Sequence, residues 1–183
     1  MRVISGTAKG LQLQAVPGRG TRPISDRVKE AVFNILGDSI VGSRVLDLFA
    51  GTGSVGIEAL SRGAEVAVFV EKHPRAIATI RSNLRHTALE TGSRVLHDDV
   101  FKFLAGPPEM FDLIYIAPPQ YQGLWSRTLL ALDAAPQWLH PHGVAIVQIF
   151  PKEMETIALT NLQLTDERKY GSTLLCFYEL SSS

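Results

Sequence analysis

The sequence predicts an α/β fold: a doubly wound, mostly parallel sheet of seven strands, with a small β-hairpin extension at the N-terminus. Three observations support this prediction. Apolar strand-like runs alternate with helical segments through residues 44–150, as in repeated β-α-β units. The runs are almost wholly apolar, as expected for strands covered by helices on both faces. A glycine-rich turn follows the first strand at residues 51–53, where an open α/β sheet binds its ligands.

The composition is that of a soluble globular protein. The chain has 183 residues, of which 45% are hydrophobic and 20% charged, so one domain with a small appendage is expected. No apolar run approaches the ~18 residues of a membrane span, and no signal-peptide core is present. The single cysteine, Cys176, excludes an internal disulfide framework and is typical of a reducing compartment. We therefore expect a cytoplasmic protein without a membrane partner, and take a monomer as the working assumption.

The N-terminal region is predicted to form a hairpin, a loop and a helix. Residues 2–5 and 11–15 alternate apolar and polar positions, and residues 17–23 are rich in proline and glycine. Ser25 or Asp26 can cap the helix that follows. Its predicted apolar stripe comprises Val28, Ala31, Val32, Ile35 and Leu36, leaving Arg27, Lys29 and Glu30 outside.

The remaining elements follow in strand–helix order. Strands are predicted at residues 45–48, 66–70, 94–96, 111–116, 144–150, 162–164 and 173–180, with helices at about 55–61, 74–89, 100–104 and 124–139. The last two strands are joined by a short polar segment, which indicates an antiparallel partner at one edge of the sheet.

The N-terminal segment is basic although the whole chain is neutral. Residues 1–30 contain six basic residues and two acidic ones, a net charge of +4, in a chain whose formal net charge is zero. Such an arm in front of a mildly acidic domain is a candidate contact for nucleic-acid phosphates. The alternative is an ordinary solvated surface.

The glycine-rich turn gives the first functional signal. Gly51, Gly53 and Gly56 satisfy the G-x-G-x-x-G pattern, and Ser54 is a candidate N-cap for the next helix. A dinucleotide site would place a diphosphate at this helix N-terminus. Asp47, at the end of the strand, would repel a diphosphate but suits a ligand with an ammonium or sulfonium group. The acid therefore favours S-adenosylmethionine over NAD.

Polar groups also follow the next strands. Glu71 follows the second strand at a spacing suited to ribose hydroxyls, Asp98 and Asp99 follow the third, and Ala117-Pro118-Pro119 follows the fourth. An acid after the third strand can accept a hydrogen bond from the adenine amino group. The five histidines are scattered and lack metal-ligand partners, so no metal site is expected.

These motifs resemble those of class I S-adenosylmethionine-dependent methyltransferases. A narrower resemblance is to the RsmD type of 16S ribosomal RNA guanine-N2 methyltransferase. It is found in residues 2–6, in the segment Thr21-Arg-Pro-Ile-Ser-Asp-Arg27 with its helix to Leu36, and in residues 49–63. The resemblance extends to about residue 125 and implies S-adenosylmethionine as cofactor, S-adenosylhomocysteine as product and 16S ribosomal RNA, within a small-subunit particle, as partner. The chain then divides into residues 1–24, the hairpin and basic arm, and residues 25–183, the methyltransferase domain.

The expected site has three parts. The cofactor-binding residues are Asp47, Phe49, Ala50, Gly51, Thr52, Gly53, Glu71, Lys72, Asp98, Asp99 and Val100. The catalytic residues are Ala117, Pro118, Pro119, Gln120 and Tyr121. The RNA-binding residues are Arg2, Lys9, Arg22, Arg27 and Lys29.

One departure from the family pattern bears on catalysis. The family reads Asp-Pro-Pro followed by an aromatic residue, whereas this chain reads Ala117-Pro118-Pro119-Gln120 with Tyr121 one place later. The backbone carbonyls of Ala117 or Pro118 are therefore the expected acceptors for the target amine, with the Gln120 amide oxygen as a second. Tyr121 is expected to stack on an extruded base, or else to pack at the start of the next helix.

Three alternatives remain at this point: an NAD-linked oxidoreductase of similar topology, a methyltransferase acting on another amine, and an RNA-binding or ribosome-assembly protein whose activity is weakened by Ala117.

Overall fold

A computed structural model describes residues 1–18 and 23–182. The helices are α1 (Asp26–Leu36), α2 (Ser54–Ser61), α3 (Pro74–His86), α4 (Val100–Leu104) and α5 (Leu124–Ala134). The strands are β1 (Arg44–Leu48), β2 (Val66–Glu71), β3 (Ser93–His97), β4 (Phe111–Ile116), β5 (Leu139–Ile149), β6 (Leu162–Tyr170) and β7 (Thr173–Leu180).

Within the described residues, the seven strands form one sheet in the order β3-β2-β1-β4-β5-β7-β6. All neighbours from β3 to β5 pair in parallel, and β7 runs antiparallel to both β5 and β6. The strand order reverses between β1 and β4, where an open α/β sheet opens a crevice at its carboxyl edge. The predicted fold class is confirmed.

The sheet carries a hydrophobic core on each face. Residues of α1, α2 and α3 pack in one core, and residues of α4 and α5 pack in the other. The central strands are apolar on both sides because helices cover both sides. None of the helices in the described ranges is both long and apolar enough to cross a membrane.

The N-terminal segment is a short antiparallel connection with one β-bridge, between Arg2 and Gln12. The β-ladder is short because the backbone N–H groups of Ile4 and Ser5 donate to the Glu58 carboxylate of α2 instead, at 2.8 and 3.0 Å. Val3, in the same segment, is 1% exposed and lies in the core of the sheet face that α1 and α2 cover. The segment is therefore packed into the domain.

Several element bounds differ from the sequence prediction. Helix α3 ends at His86 rather than near residue 89, and β5 begins at Leu139 rather than at residue 144. Helix α5 ends at Ala134 rather than near residue 139, since Pro136 disfavours helical backbone at the residue before it. Strand β6 extends to Tyr170, well beyond the predicted residue 164. Its outer residues face solvent and are polar, so they lack the apolar pattern by which a strand is recognised.

Candidate active site

The turn after β1 is held in a tight conformation. Phe49, Gly51 and Gly53 have φ angles of 59°, 58° and 80°, all in the left-handed region. Glycine enters this region without penalty, whereas a phenylalanine there is rare and marks strain, which clusters at functional sites. The Ala50 N–H donates to the Val70 carbonyl at 3.1 Å, which ties the turn to β2.

Gly56 allows α2 to lie directly on the sheet. A Cβ atom at this position would meet the Phe69 ring at 2.3 Å, so no larger residue fits without movement. The Gly56 N–H also donates to the Asp47 carboxylate at 3.2 Å. The third glycine of the motif therefore serves helix–strand packing and orients the acid.

Asp47 is a buried acid with an altered pKa. It is 3% exposed, and burial raises the pKa of its carboxyl to about 8, against the lowering effect of the Gly56 hydrogen bond. Burial disfavours the charged form, whereas a cation bound nearby favours it. A cationic ligand at this edge would therefore stabilise the ionised acid.

Glu71 holds the turn together. Its carboxylate accepts from the backbone N–H groups of Gly51, Lys72 and His73 at 2.9, 2.9 and 3.0 Å. The acid is 5% exposed and stands at the end of β2, next to the turn. It thus lies where a ribose acceptor was predicted, and it already orders the backbone there.

Ser54 is not the N-cap of α2, contrary to the prediction. Gly53 occupies that position, and Ser54 is the first helical residue. The Ser54 hydroxyl accepts instead from the Lys29 ammonium group at 2.9 Å, so it links α2 to α1.

Asp98 and Asp99 lie between β3 and α4. Asp99 is the N-cap of α4: its Oδ1 accepts from the N–H groups of Phe101 and Lys102 at 2.9 and 3.1 Å. Asp98 is half-buried and accepts from the Asp99 N–H, and Val100 is buried. One carboxylate oxygen of Asp99 therefore fixes the helix start, and the acids remain at the predicted strand end.

The diproline loop leaves β4 beside the glycine turn. The register pairs Leu48 with Ile116, so Phe49 and Ala117 follow on neighbouring strands. Pro118 is buried, Pro119 is half-buried and Gln120 is exposed. The two loops therefore share the crevice at the switch point of the sheet.

Tyr121 projects from the diproline loop. It is 65% exposed and has a φ angle of 57°. Its ring stacks on Phe150, with centroids 5.5 Å apart. Glu153 accepts from the N–H groups of both Tyr121 and Phe150, at 2.8 and 2.9 Å, and so clamps this loop to the end of β5. Sequence reasoning missed Phe150 and Glu153, because their relation to Tyr121 depends on strand order.

A cavity of about 200 Å³ lies next to this loop. It is bounded by the start of α1, the diproline loop, the end of β5 and the turn between β6 and β7. Gln148 of β5 lines it, and the buried Tyr115 hydroxyl donates to the Gln148 amide oxygen. Sequence reasoning gave no role to either residue.

The predicted RNA-binding cations have different surroundings. Arg2, Lys9 and Arg27 are exposed, with Arg2 3.7 Å from the Asp26 carboxylate, whereas Arg22 lies outside the described residues. The prediction that Lys29 contacts RNA phosphates is wrong, since the residue is 0% exposed.

Lys29 is instead part of a buried polar network. Its ammonium group donates to the Arg2 carbonyl at 2.6 Å and lies 3.4 Å from the Glu58 carboxylate, which also pairs with Arg62 at 2.9 Å. Burial lowers the pKa of Lys29, while Glu58 opposes that shift. The cation joins the N-terminal segment, α1 and α2.

The described part of the chain contains no group of three or more histidine, cysteine, aspartate or glutamate residues that could hold a metal ion.

The chain is similar to known proteins over nearly its full length. The model of the family described as "Conserved hypothetical protein 95" matches residues 1–179. YlbH of Bacillus subtilis is 39% identical over 183 residues, covering 98% of each chain. Ribosomal RNA small subunit methyltransferase D of Haemophilus influenzae is 31% identical and covers 98% of this chain and 93% of its own. The solved structure of Escherichia coli yhhF is 30% identical, with a TM-score of 0.88, and covers 100% of this chain and 99% of its own.

Proposed function

Because the chain belongs to the "Conserved hypothetical protein 95" family, the RsmD type of class I methyltransferase, we propose that it transfers a methyl group from S-adenosylmethionine to the N2 amine of a guanine in 16S ribosomal RNA. Family membership supports methylation of RNA. Membership also removes the reason for the oxidoreductase alternative. The choice of guanine as the base, of N2 as its reacting amine and of S-adenosylmethionine as the methyl donor rests on the site described above.

The observation that carries the proposal is the pairing of two loops. Phe49 and Ala117 leave adjacent parallel strands at the point where strand order reverses. A donor above the glycine turn and an acceptor base at the diproline loop would therefore meet across one strand spacing, about 4.8 Å. Bringing two reactants together in this way is a large part of catalysis.

The residues at the turn fit S-adenosylmethionine. A Cβ atom built at Gly51 would meet only the Phe49 carbonyl oxygen, at 4.0 Å, so the space above the turn is open to a ligand. Asp47 suits a positively charged ligand, Glu71 would hold the ribose, and Asp98 or Asp99 would accept from the adenine amine. When bound, the cofactor supplies a methyl group on a sulfonium.

The chain's own groups would position the amine. The lone pair of the exocyclic guanine nitrogen is delocalised into the ring. Groups that accept hydrogen bonds from the N–H bonds of this amine help the lone pair to localise on nitrogen. The carbonyls of Ala117 and Pro118 would act as these acceptors, with Gln120 as a second. The N2 lone pair forms the new N–C bond while the S–C bond breaks, and one N2 proton is released to water.

RNA would be held by stacking and by charge. Tyr121 is exposed beside the diproline loop and would stack on the extruded base, as aromatic side chains do in other enzymes that act on bases. Arg2, Lys9 and Arg27 would contact phosphates.

The test is incubation with radiolabelled methyl donor and unmodified small-subunit particles, followed by nucleoside analysis. We expect label in N2-methylguanosine, and competition by S-adenosylhomocysteine as the control. Label in another nucleoside would instead support a methyltransferase for a different amine.

A second candidate rests on Ala117, which replaces the family's carboxylate with a methyl group. It is an RNA-binding or ribosome-assembly protein with weakened activity. Binding of S-adenosylhomocysteine without methyl transfer to any small-subunit RNA would favour it.

A further inference from the structure

The cavity beside the diproline loop is built from four separate parts of the chain. Its polar lining includes Ser25 and Arg27 of the α1 start, Gln120 of the loop, Gln148 of β5, and Tyr170 and Thr173 of the β6–β7 turn. Its volume of about 200 Å³ is below the ~300–1,000 Å³ of typical small-molecule sites. A single base edge fits such a space better than a whole nucleotide does.

Gln148 is placed next to the proposed acceptors of the target amine. The β4–β5 register pairs Ile116 with Val147, so Ala117 and Gln148 are the next neighbours along these strands. Alternation along a strand puts Gln148 on the same face as Ile146, the partner of Tyr115. The Gln148 side chain therefore stands one strand away from Ala117, on the face that carries Asp47 and Tyr115.

Tyr115 fixes which end of the Gln148 amide faces the cavity. The phenol is 1% exposed, and a buried hydroxyl needs an acceptor for its proton. Its hydrogen bond goes to the Gln148 amide oxygen. With the oxygen held inward in this way, the NH2 group of the half-buried Gln148 is the end available to a ligand.

A donor at this place selects an acceptor on the base. On the Watson–Crick edge of guanine, the N2 amine and the O6 acceptor lie at opposite ends, and enzymes read a flipped base along this edge. With N2 at the Ala117 and Pro118 carbonyls, a base lying across β4 and β5 would direct O6 toward Gln148. We infer that Gln148 donates to O6 of the target guanine and sets base specificity, with Tyr115 as a positioning residue. This rests on the proposed function.

The test exchanges O6 of the target guanine for an amine, a change that also removes the N1 hydrogen. 16S RNA is ligated around a synthetic segment that carries either guanine or 2,6-diaminopurine at the methylated position, and is offered as RNA or as a reconstituted particle, whichever form the enzyme accepts. Diaminopurine keeps the 2-amine but presents a donor where guanine presents O6. We expect kcat/KM for wild type to fall about 10- to 100-fold on diaminopurine, because two donors then face each other.

Variants then assign the discrimination to Gln148. Gln148→Glu presents an acceptor, so it should prefer diaminopurine, and Gln148→Leu should bring the two rates close together. Tyr115→Phe removes the hydrogen bond that holds the Gln148 amide. It should lower the ratio of kcat/KM on guanine to kcat/KM on diaminopurine without inverting it, a change that loss of packing alone would not give. Thermal melting of each variant checks folding.

Equal rates for wild type on both bases would overturn the inference, as would an unchanged ratio in Gln148→Glu. Absence of methyl transfer to guanine-containing RNA would instead contradict the proposed function, so the two failures are distinct.

Discussion

The glycine turn and the diproline loop face the same crevice but differ in how they are held. At the turn, Glu71 accepts from three backbone N–H groups and Asp47 accepts from a fourth, and both acids are nearly buried. At the loop, Glu153 makes the corresponding clamp, yet Tyr121 stays 65% exposed. The side proposed to bind the cofactor is therefore preorganised by the chain, whereas the side proposed to bind the substrate presents groups that RNA would cover.

The strongest test of this contrast is substitution of Lys29, which supports the turn through Ser54. Lys29→Met leaves buried Glu58 with Arg62 as its remaining cation, and losing one partner of a buried pair costs about 3–5 kcal/mol. We expect a loss of this size in the free energy of unfolding, measured with urea. Arg27→Met, at an exposed position of the same helix, is the matched control and should lose little stability. Equal losses in the two variants would contradict the structural role of Lys29.

The next effect concerns Asp47 and pH. Since its folded pKa is about 8 and its usual value is 3.8, the unfolded chain releases a proton in this interval that the folded chain retains. The stability that Asp47 contributes is therefore present below about pH 4 and is lost as pH rises toward 8. Asp47→Asn should flatten the pH dependence of unfolding between these values, with Asp98→Asn as the control for lost charge. A slope equal to wild type would contradict burial of the acid.

On the substrate side, Gln120→Ala and Tyr121→Ala should lower turnover and leave the affinity for S-adenosylhomocysteine nearly unchanged. Base stacking is worth about 1–3 kcal/mol, so the loss at Tyr121 should be about 5- to 150-fold in kcat/KM. Single-turnover kinetics and calorimetry separate the two quantities. Weaker cofactor binding in either variant would mean that the two loops are coupled.

The smallest effect is expected for the exposed cations. Arg27→Ala should weaken RNA binding at all sequences and reduce the slope of log affinity against log salt by about 1. Lys9→Ala is a second exposed position for the same measurement. An unchanged slope for both would remove them from the RNA contact.

The predictable parts of the fold were those with local signals. Strands β4 and β7 have the bounds predicted, because continuous apolar runs mark strands buried on both faces. Strand β6 was underestimated, since its solvent-facing residues carry charge. The glycine turn and the acids Asp47, Glu71, Asp98 and Asp99 lie at the strand ends where the sequence predicts them, because spacing along the chain determines these positions.

Lys29 shows why other features of the structure were not predicted from the sequence. Charge suggested a solvated residue, but the buried stripe of α1 consists of Val28, Lys29, Val32 and Phe33. Lys29 lies one helical turn before Val32 and Phe33, so the period alone could have placed it inside. The pairing of Tyr115 with Gln148 had no such signal, because it depends on the register between β4 and β5.

The docking of the N-terminal segment also has a consequence for synthesis. Ile4 and Ser5 donate to Glu58, 54 and 53 residues further along the chain, and Ala8 donates to Ser61 at a separation of 53. A nascent chain emerges N-terminus first. Residues 4–8 are made before α2, so their hydrogen bonds to α2 form only after that helix has emerged, and this segment is among the later parts of the described chain to settle.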